Sequence, residues 1–192
     1  MLRRRPGLFL APAVALCLAL ALPVVAETLT LAAVTGPVAP GSPEVGVQKV
    51  VAQRVFALIG YTRWPVPPET HRLCIVGDPG YTGLLQAHGR EGHLPRLAVS
   101  LLGEKAAPTA DCDVLYFGAM SRVGREAILA QWAGKPVLTV GEDDDCAGRL
   151  MFCLAIRGDG VAMRANLDSV SRAAVKVHAN VLNLFGRRRP PE

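Results

Sequence analysis

The stretch Cys112–Glu142, CDVLYFGAMSRVGREAILAQWAGKPVLTVGE, decides the fold class of this chain. It opens with an apolar run, CDVLYFGA, that predicts a buried strand, and it closes with a second apolar run, PVLTVGE. Between them, SRVGREAILAQWAG carries a helical pattern for which Ser121 is the expected N-cap. This alternation of strand and helix is typical of α/β proteins with a largely parallel sheet.

Upstream of this stretch, the sequence predicts one long helix and a second alternation. Apolar residues recur with a helical period from Val47 to Ile59, and the proline-rich text that follows ends that helix. Trp64, within that text, is expected to pack in the core. Farther on, two strands flank a short helix that Gly89 is expected to close; the three segments are RLCIVG (72–77), YTGLLQAHG (81–89) and RLAVSLLG (96–103).

Downstream, two apolar segments flank Gly158-Asp159-Gly160, which is a hairpin signal. This context explains the tripeptide Arg157-Gly158-Asp159 as part of a tight turn rather than as an integrin-binding motif. The last segments are DSVSRAA (helical), VKV (extended) and HANVLNLF (helical). We therefore expect a single α/β domain over residues 44–186: a mixed, mostly parallel sheet flanked by helices, with a C-terminal antiparallel hairpin.

The N-terminal residues 1–26 have the three parts of a secretory signal peptide: three arginines, an apolar run from Leu8 to Leu22, and a small-residue cleavage site at Ala26. The apolar run is shorter than the roughly 20 residues a membrane anchor needs. Residues 27–43 are expected to form a flexible arm, and 187–192 a basic tail. Losing the signal peptide lowers the formal net charge from +5 to +2, which gives no argument for nucleic-acid binding.

Export leaves four of the five cysteines, namely Cys74, Cys112, Cys146 and Cys153. An even number of cysteines in an oxidising compartment predicts disulfides. Neither a C-x-x-C redox pair nor the paired spacing of a zinc site is present. Spacing alone does not choose among the three possible pairings, although proximity favours Cys146–Cys153 and thereby leaves Cys74–Cys112.

Motifs for catalysis and for cofactor binding are missing from the sequence. It contains no GxGxxG, no GxxxxGK[ST] and no GxSxG, and no serine stands in the context of an activated nucleophile. The acidic run Glu142–Asp145 lacks the alternating ligands of a calcium loop, so we expect a solvated loop there and no metal site. The sequence thus favours a protein without enzymatic activity or cofactor.

Several motifs, taken in order, resemble those of the YfiR-type periplasmic repressors. They are YTRWP (61–65), RLCIVGD (72–78), CDVLYFG (112–118), GKPVLTVGE (134–142), CAGRLMFCL (146–154) and ANLDSVSRAAVKVHANVL (165–182). The resemblance runs from about Val45 to Gly186. It implies disulfides at Cys74–Cys112 and Cys146–Cys153, and a periplasmic location.

The resemblance also implies a function and partners. Such repressors bind the periplasmic region of an inner-membrane diguanylate cyclase and lower cyclic-di-GMP synthesis, which governs biofilm formation. An outer-membrane lipoprotein resembling the peptidoglycan-associated lipoprotein is expected to sequester the repressor. The oligomeric state stays open, with a homodimer as one option. A second hypothesis is a soluble envelope sensor that binds a small anionic or aromatic ligand in the family's basic cluster, whose residues are named below.

The resemblance places binding residues on two groups of positions. The family's basic cluster falls on Arg63, Arg172, Lys176 and His178. The lipoprotein-facing positions are Phe152 and Val170, although Phe152 is also placed to cover a disulfide. Arg164 departs from the family, which usually has a glutamate there, and this charge reversal would repel a basic group on the lipoprotein.

Overall fold

The computed structural model describes residues 43–78, 80–91 and 95–185; the signal peptide, the basic tail and nearly all of the N-terminal arm expected from the sequence lie outside these residues. The helices are α1 (Pro43–Tyr61), α2 (Gly83–Glu91), α3 (Arg122–Gln131) and α4 (Leu167–Arg172). The strands are β1 (Thr62–Arg63), β2 (His71–Val76), β3 (Leu97–Leu102), β4 (Val114–Phe117), β5 (Leu138–Glu142), β6 (Phe152–Arg157), β7 (Gly160–Ala165) and β8 (Lys176–Val177). Short 3-10 helices cover Gly80–Thr82, Ala107–Thr109 and Ala179–Leu184.

Six of the strands form one sheet in the order β3-β2-β4-β5-β6-β7. Within this sheet, the first four strand pairs, from β3–β2 to β5–β6, are parallel, and the last pair, β6–β7, is antiparallel. This arrangement confirms the predicted α/β fold with its C-terminal hairpin. The turn of the hairpin is tight because Arg157 pairs with Gly160, and Gly158 takes a positive φ of 58° that favours glycine.

The sheet is covered on both faces because successive residues of a strand point to opposite sides. On β2, Leu73 and Ile75 pack into the core that contains α1, whereas Cys74 and Val76 pack into a second core under α3. The predicted helical stripe is buried in the first core and comprises Val47, Val51, Val55, Leu58 and Ile59. Each fully buried valine or leucine contributes about 1.5–3 kcal/mol, so this stripe anchors the N-terminal helix.

Gly89 does not end α2, as the sequence had predicted, because the helix continues to Glu91. A Cβ atom on Gly89 would lie 2.7 Å from Cγ2 of Val99 on the neighbouring strand β3. The glycine therefore serves close packing of helix on strand, which its position near the end of the helical pattern did not indicate. The N-cap prediction for α3 is confirmed, since the Ser121 side chain accepts a hydrogen bond from the N–H of Gly124.

The C-terminal part of the described chain closes the fold through a second, two-stranded sheet. Strand β8 pairs antiparallel with β1, which follows directly after α1. The predicted terminal helix is a 3-10 helix, Ala179–Leu184. Among the residues that the structure describes, no helix has the length and hydrophobicity needed to cross a membrane.

Candidate partner-binding surface

The two-stranded sheet of β1 and β8 is held to the end of α1 by hydrogen bonds. The buried Thr62 hydroxyl donates to the carbonyl of Leu58 at 2.7 Å, and the N–H of His178 donates to the carbonyl of Tyr61 at 2.8 Å. These bonds satisfy carbonyls of the last helical turn that have no partner within the helix. The residues that follow α1 are thereby fixed against the C-terminal segment.

Arg63 and Lys176 lie directly opposite each other in the β1–β8 pair, and both are exposed. The Arg63 guanidinium donates to the carbonyls of Gly60 at 2.8 Å and Thr62 at 3.0 Å, where the helix dipole favours a cation. No ion pair to a carboxylate is formed by Arg63 or Lys176 within the described part of the chain. The register therefore places two cations side by side, and carbonyl oxygens rather than carboxylates accept the hydrogen bonds of Arg63.

His178 lies next to this pair of cations. Its ring faces that of Tyr61 at a centroid distance of 6.5 Å and an interplanar angle of 24°. Its Nδ1 accepts a hydrogen bond from the N–H of Asn180 at 3.1 Å, so the ring also caps the terminal 3-10 helix. The fold thus gathers three members of the predicted basic cluster, and we call Arg63, Lys176 and His178 the basic ladder.

The fourth member, Arg172, lies at the end of α4 rather than in the basic ladder. Its guanidinium forms an ion pair with Asp168 one helical turn away. No hydrogen bond or ion pair joins Arg172 to the ladder in the described ranges. Arg172 instead lines a cavity beside α3.

Trp64 secures the ladder to the body of the domain. Its ring is buried, as predicted, and its Nε1–H donates to the carbonyl of Asp113 at 3.3 Å. The ring centroid lies 4.6 Å from that of His71. Burial lowers the pKa of His71, although the charge of Asp113 acts in the opposite direction. This side of the ladder is therefore a packed wall formed by the rings of Trp64 and His71.

Both disulfides have the predicted pairing. Cys74 and Cys112 are bridged with a Cα–Cα distance of 5.9 Å, and Cys146 and Cys153 with a distance of 5.4 Å. All four cysteines are buried and belong to the core between the sheet and α3. The bridges therefore reinforce one face of the sheet, and the first ties β2 to the residues just before β4.

Phe152 is not on a surface, contrary to the prediction that it faces a partner. It is the first residue of β6, has an exposed fraction of 0%, and packs in the core on the α1 side. Its ring contacts Phe185 at a centroid distance of 6.4 Å. The strand alternation turns Phe152 away from its neighbour Cys153, so it does not cover the disulfide either.

Val170 and Arg164 lie closer to solvent. Val170 on α4 is half-buried at the rim of the same core, and Arg164 is exposed on the edge strand β7. Asn166 between them caps α4 by accepting the N–H of Ser169 at 3.0 Å, and it donates to the carbonyl of Gly148 at 2.8 Å. The cap fixes α4 against the loop of the Cys146–Cys153 bridge.

The acidic run is only partly solvated, so the prediction of a solvated loop is wrong for its first two residues. Asp143 forms an ion pair with Arg125 of α3, and their side chains are 6% and 3% exposed. Glu142 accepts a hydrogen bond from the hydroxyl of Tyr116 at 2.9 Å. Burial raises the pKa of Glu142, the Tyr116 hydrogen bond opposes this, and the charge of Asp78 adds to it.

A signal for the buried ion pair was present in the helix pattern. Arg125 precedes Ile128, Leu129 and Trp132 by three, four and seven positions, which places it on their buried face. A buried arginine requires a carboxylate partner.

In the described ranges, no group of three or more His, Cys, Asp or Glu side chains is arranged to hold a metal ion.

A comparison with protein families gives one match that covers most of the chain. The family model described as YfiR/HmsC-like matches residues 48–184. The match begins in α1 and ends with the terminal 3-10 helix, so it includes both disulfides, the basic ladder and α4. The family is periplasmic and regulatory rather than catalytic, and its members are associated with the control of diguanylate cyclases.

Proposed function

This chain belongs to the YfiR/HmsC-like family, and we propose that it is the periplasmic repressor of an inner-membrane diguanylate cyclase. In this proposal the mature protein binds the periplasmic sensor region of the cyclase and holds the cytoplasmic catalytic region inactive. Cyclic-di-GMP then falls, and biofilm formation with it. The two disulfides support this location, because such bonds persist in the oxidising periplasm.

The basic ladder is the observation that carries this proposal. Like charges directly opposite each other on a strand pair are destabilising, by about 0.2–1 kcal/mol. The ladder holds Arg63 opposite Lys176, and neither cation has a carboxylate partner in the described residues, since Arg63 donates only to carbonyl oxygens. An acidic patch on a partner would remove the repulsion and would speed the association of the two proteins.

Relief of repression is proposed to use the neighbouring α4 and β7. An outer-membrane lipoprotein that contacts the rim residue Val170 would sequester the repressor from the cyclase. Because Arg164 is exposed on β7, a lipoprotein that also contacts this strand should present an acidic group there.

The proposal is tested with a charge reversal that leaves the packing unchanged. Lys176→Glu alters an exposed side chain for which the structure shows no hydrogen bond or ion pair; Lys105→Glu is the matched control, since Lys105 is also exposed and unpaired in the described chain. In a strain lacking the gene, wild-type protein and the control should lower cyclic-di-GMP. The Lys176→Glu variant, at equal periplasmic abundance, should leave it high.

A topological control accompanies this experiment. Protein expressed without residues 1–26 should fail to lower cyclic-di-GMP, because the proposed binding region lies across the membrane and the cysteines remain reduced. Full activity of that cytoplasmic form would contradict the proposed arrangement. Equal repression by Lys176→Glu and wild type would remove the ladder from the interface.

A further inference from the structure

A cavity of about 750 Å³ lies between α3, α4 and the loop that precedes β6. Small-molecule binding sites have volumes of about 300–1,000 Å³, so this cavity is large enough to be one. Its walls come from the C-terminal end of α3, from Gly148–Met151 and from the end of α4. The basic ladder does not line it, so the cavity is a separate feature of the domain.

The strand register explains why the cavity exists. β6 joins β5 only from Val140 onward, where Val140 pairs with Phe152. Thr139 lies just outside that pairing, and its hydroxyl accepts the N–H of Met151 at 3.0 Å. The chain therefore leaves the sheet beside the start of β5. Small residues of the α4 segment, Ala173 and Ala174, leave the resulting space unfilled.

The floor of the cavity is apolar. Leu129, Trp132, Val137 and Met151 are buried side chains that line it. The Trp132 indole is fixed, because its Nε1–H donates to the carbonyl of Ala107 at 3.2 Å. Such a floor favours a ligand with an aromatic or aliphatic body.

The rim of the cavity is basic. It carries three cations, Lys135, Arg149 and Arg172, and one carboxylate, Glu126. Arg149 lies 3.8 Å from Glu126, and Arg172 pairs with Asp168, whereas Lys135 has no carboxylate partner in the described chain. The Lys135 ammonium instead lies 4.4 Å from the centroid of the Trp132 ring, directly over the floor.

We propose that this cavity binds a small organic anion, with its apolar body on Trp132 and its charged group on Lys135. A carboxylate beside Lys135 would gain a charge-assisted hydrogen bond. The carbonyls at the end of α3 oppose an anion only weakly, because the N–H groups of Trp132 and Ala133 already donate to the carbonyls of Leu129 and Ala130. An occupant would also touch Arg172 on the helix that carries Val170; any effect on partner choice rests on the proposed function.

The binding test uses the full mature protein with its disulfides intact. The probe is 4-phenylbutyrate, and 4-phenylbutan-1-ol is its uncharged analogue. Isothermal titration calorimetry should detect saturable binding of the acid with one site per chain. The alcohol should bind about tenfold more weakly, since it cannot form the charge-assisted contact. Absence of saturable binding up to millimolar acid would overturn the proposal.

Two variants locate the site, and a third is the control. Lys135→Gln should weaken binding of the acid about tenfold without changing that of the alcohol. Ala133→Glu, at an exposed position that lines the cavity, should weaken it further by charge repulsion. Lys105→Gln should bind as wild type does. Equal affinity in all four proteins would place the probe elsewhere and refute the assignment, whatever the outcome of the cyclase experiments.

Discussion

The buried ion pair between Arg125 and Asp143 gives the sharpest stability prediction. Asp143→Asn keeps the shape of the side chain, removes its charge and replaces the oxygen that accepts from Arg125 with an amide NH2. The asparagine oxygen can still accept the N–H groups of Asp145 and Cys146, which bond Asp143 at 3.0 and 2.9 Å. The variant therefore isolates the loss of the ion pair from the loss of the turn.

The magnitude follows from the burial of both partners. Arg125 is 3% exposed, and its Nε has no hydrogen-bond partner, so it depends on Asp143 for compensation. Removing one partner of a buried pair costs about 3–5 kcal/mol, because the other charge stays buried. For a domain of this size, each 1 kcal/mol lowers Tm by about 2–4 °C. We expect Asp143→Asn to lower Tm by at least about 6 °C.

The assay is thermal and urea unfolding of the oxidised protein, with Asp144→Asn as the matched control. Asp144 pairs with Arg157 at 3.2 Å on the surface, where both side chains are more than half exposed. An exposed pair contributes about 0–1 kcal/mol, so the control should differ little from wild type. The double variant Arg125→Met/Asp143→Asn should be more stable than Asp143→Asn alone, because no uncompensated charge remains.

Equal Tm values for Asp143→Asn and Asp144→Asn would refute this reasoning. That result would mean that water or another group compensates Arg125 when Asp143 is neutral. A double variant that is less stable than Asp143→Asn would also contradict it, because removing the unpaired charge of Arg125 would then fail to restore stability.

Three further predictions concern the core, a bridge and the acid limb. Leu58→Ala, at a fully buried site of α1, should lower the free energy of unfolding by about 2–5 kcal/mol in urea titration, with repression kept at permissive temperature. Cys146→Ser/Cys153→Ser should cost about 2–3 kcal/mol and give folded protein with weakened repression, measured as periplasmic abundance beside cyclic-di-GMP. Burial acts to raise the pKa of Asp113, but hydrogen bonds and charge from Arg72 outweigh this and lower it. The stability that ionised Asp113 contributes is therefore present above the pKa of the unfolded chain and is lost as pH falls through the pKa of the folded protein. Asp113→Asn should thus make the free energy of unfolding less dependent on pH below about pH 4 in acid titration.

The sequence predicts those features that local patterns determine. The strand–helix alternation, the Ser121 cap and the Gly158 turn depend on residues within a few positions of each other, and the structure confirms all three. The features that the sequence did not predict depend on contacts between residues of different structural elements. Gly89 packs against Val99 on another element, and the burial of Asp143 depends on Arg125, which lies 18 positions away.

The candidate surface, too, was predicted only in part from the sequence. Resemblance identified the cations of the basic ladder, and the register that sets Arg63 opposite Lys176 became visible only in the folded chain. Phe152 was misplaced because its surface position was inferred from the resemblance alone, whereas the strand alternation of β6 turns it into the core. The cavity beside Trp132 has no sequence signature, since its walls come from three separated segments.

The central claim is tested most directly by reconstituting the cyclase. The full-length diguanylate cyclase of the same cell is placed in lipid nanodiscs with GTP, and the mature oxidised protein is added while the rate of cyclic-di-GMP formation is measured. We predict a saturable fall in that rate with wild-type and Lys105→Glu protein and a much weaker response with Lys176→Glu. An unchanged rate at saturating wild-type protein, under conditions in which the cyclase is active, would contradict the account.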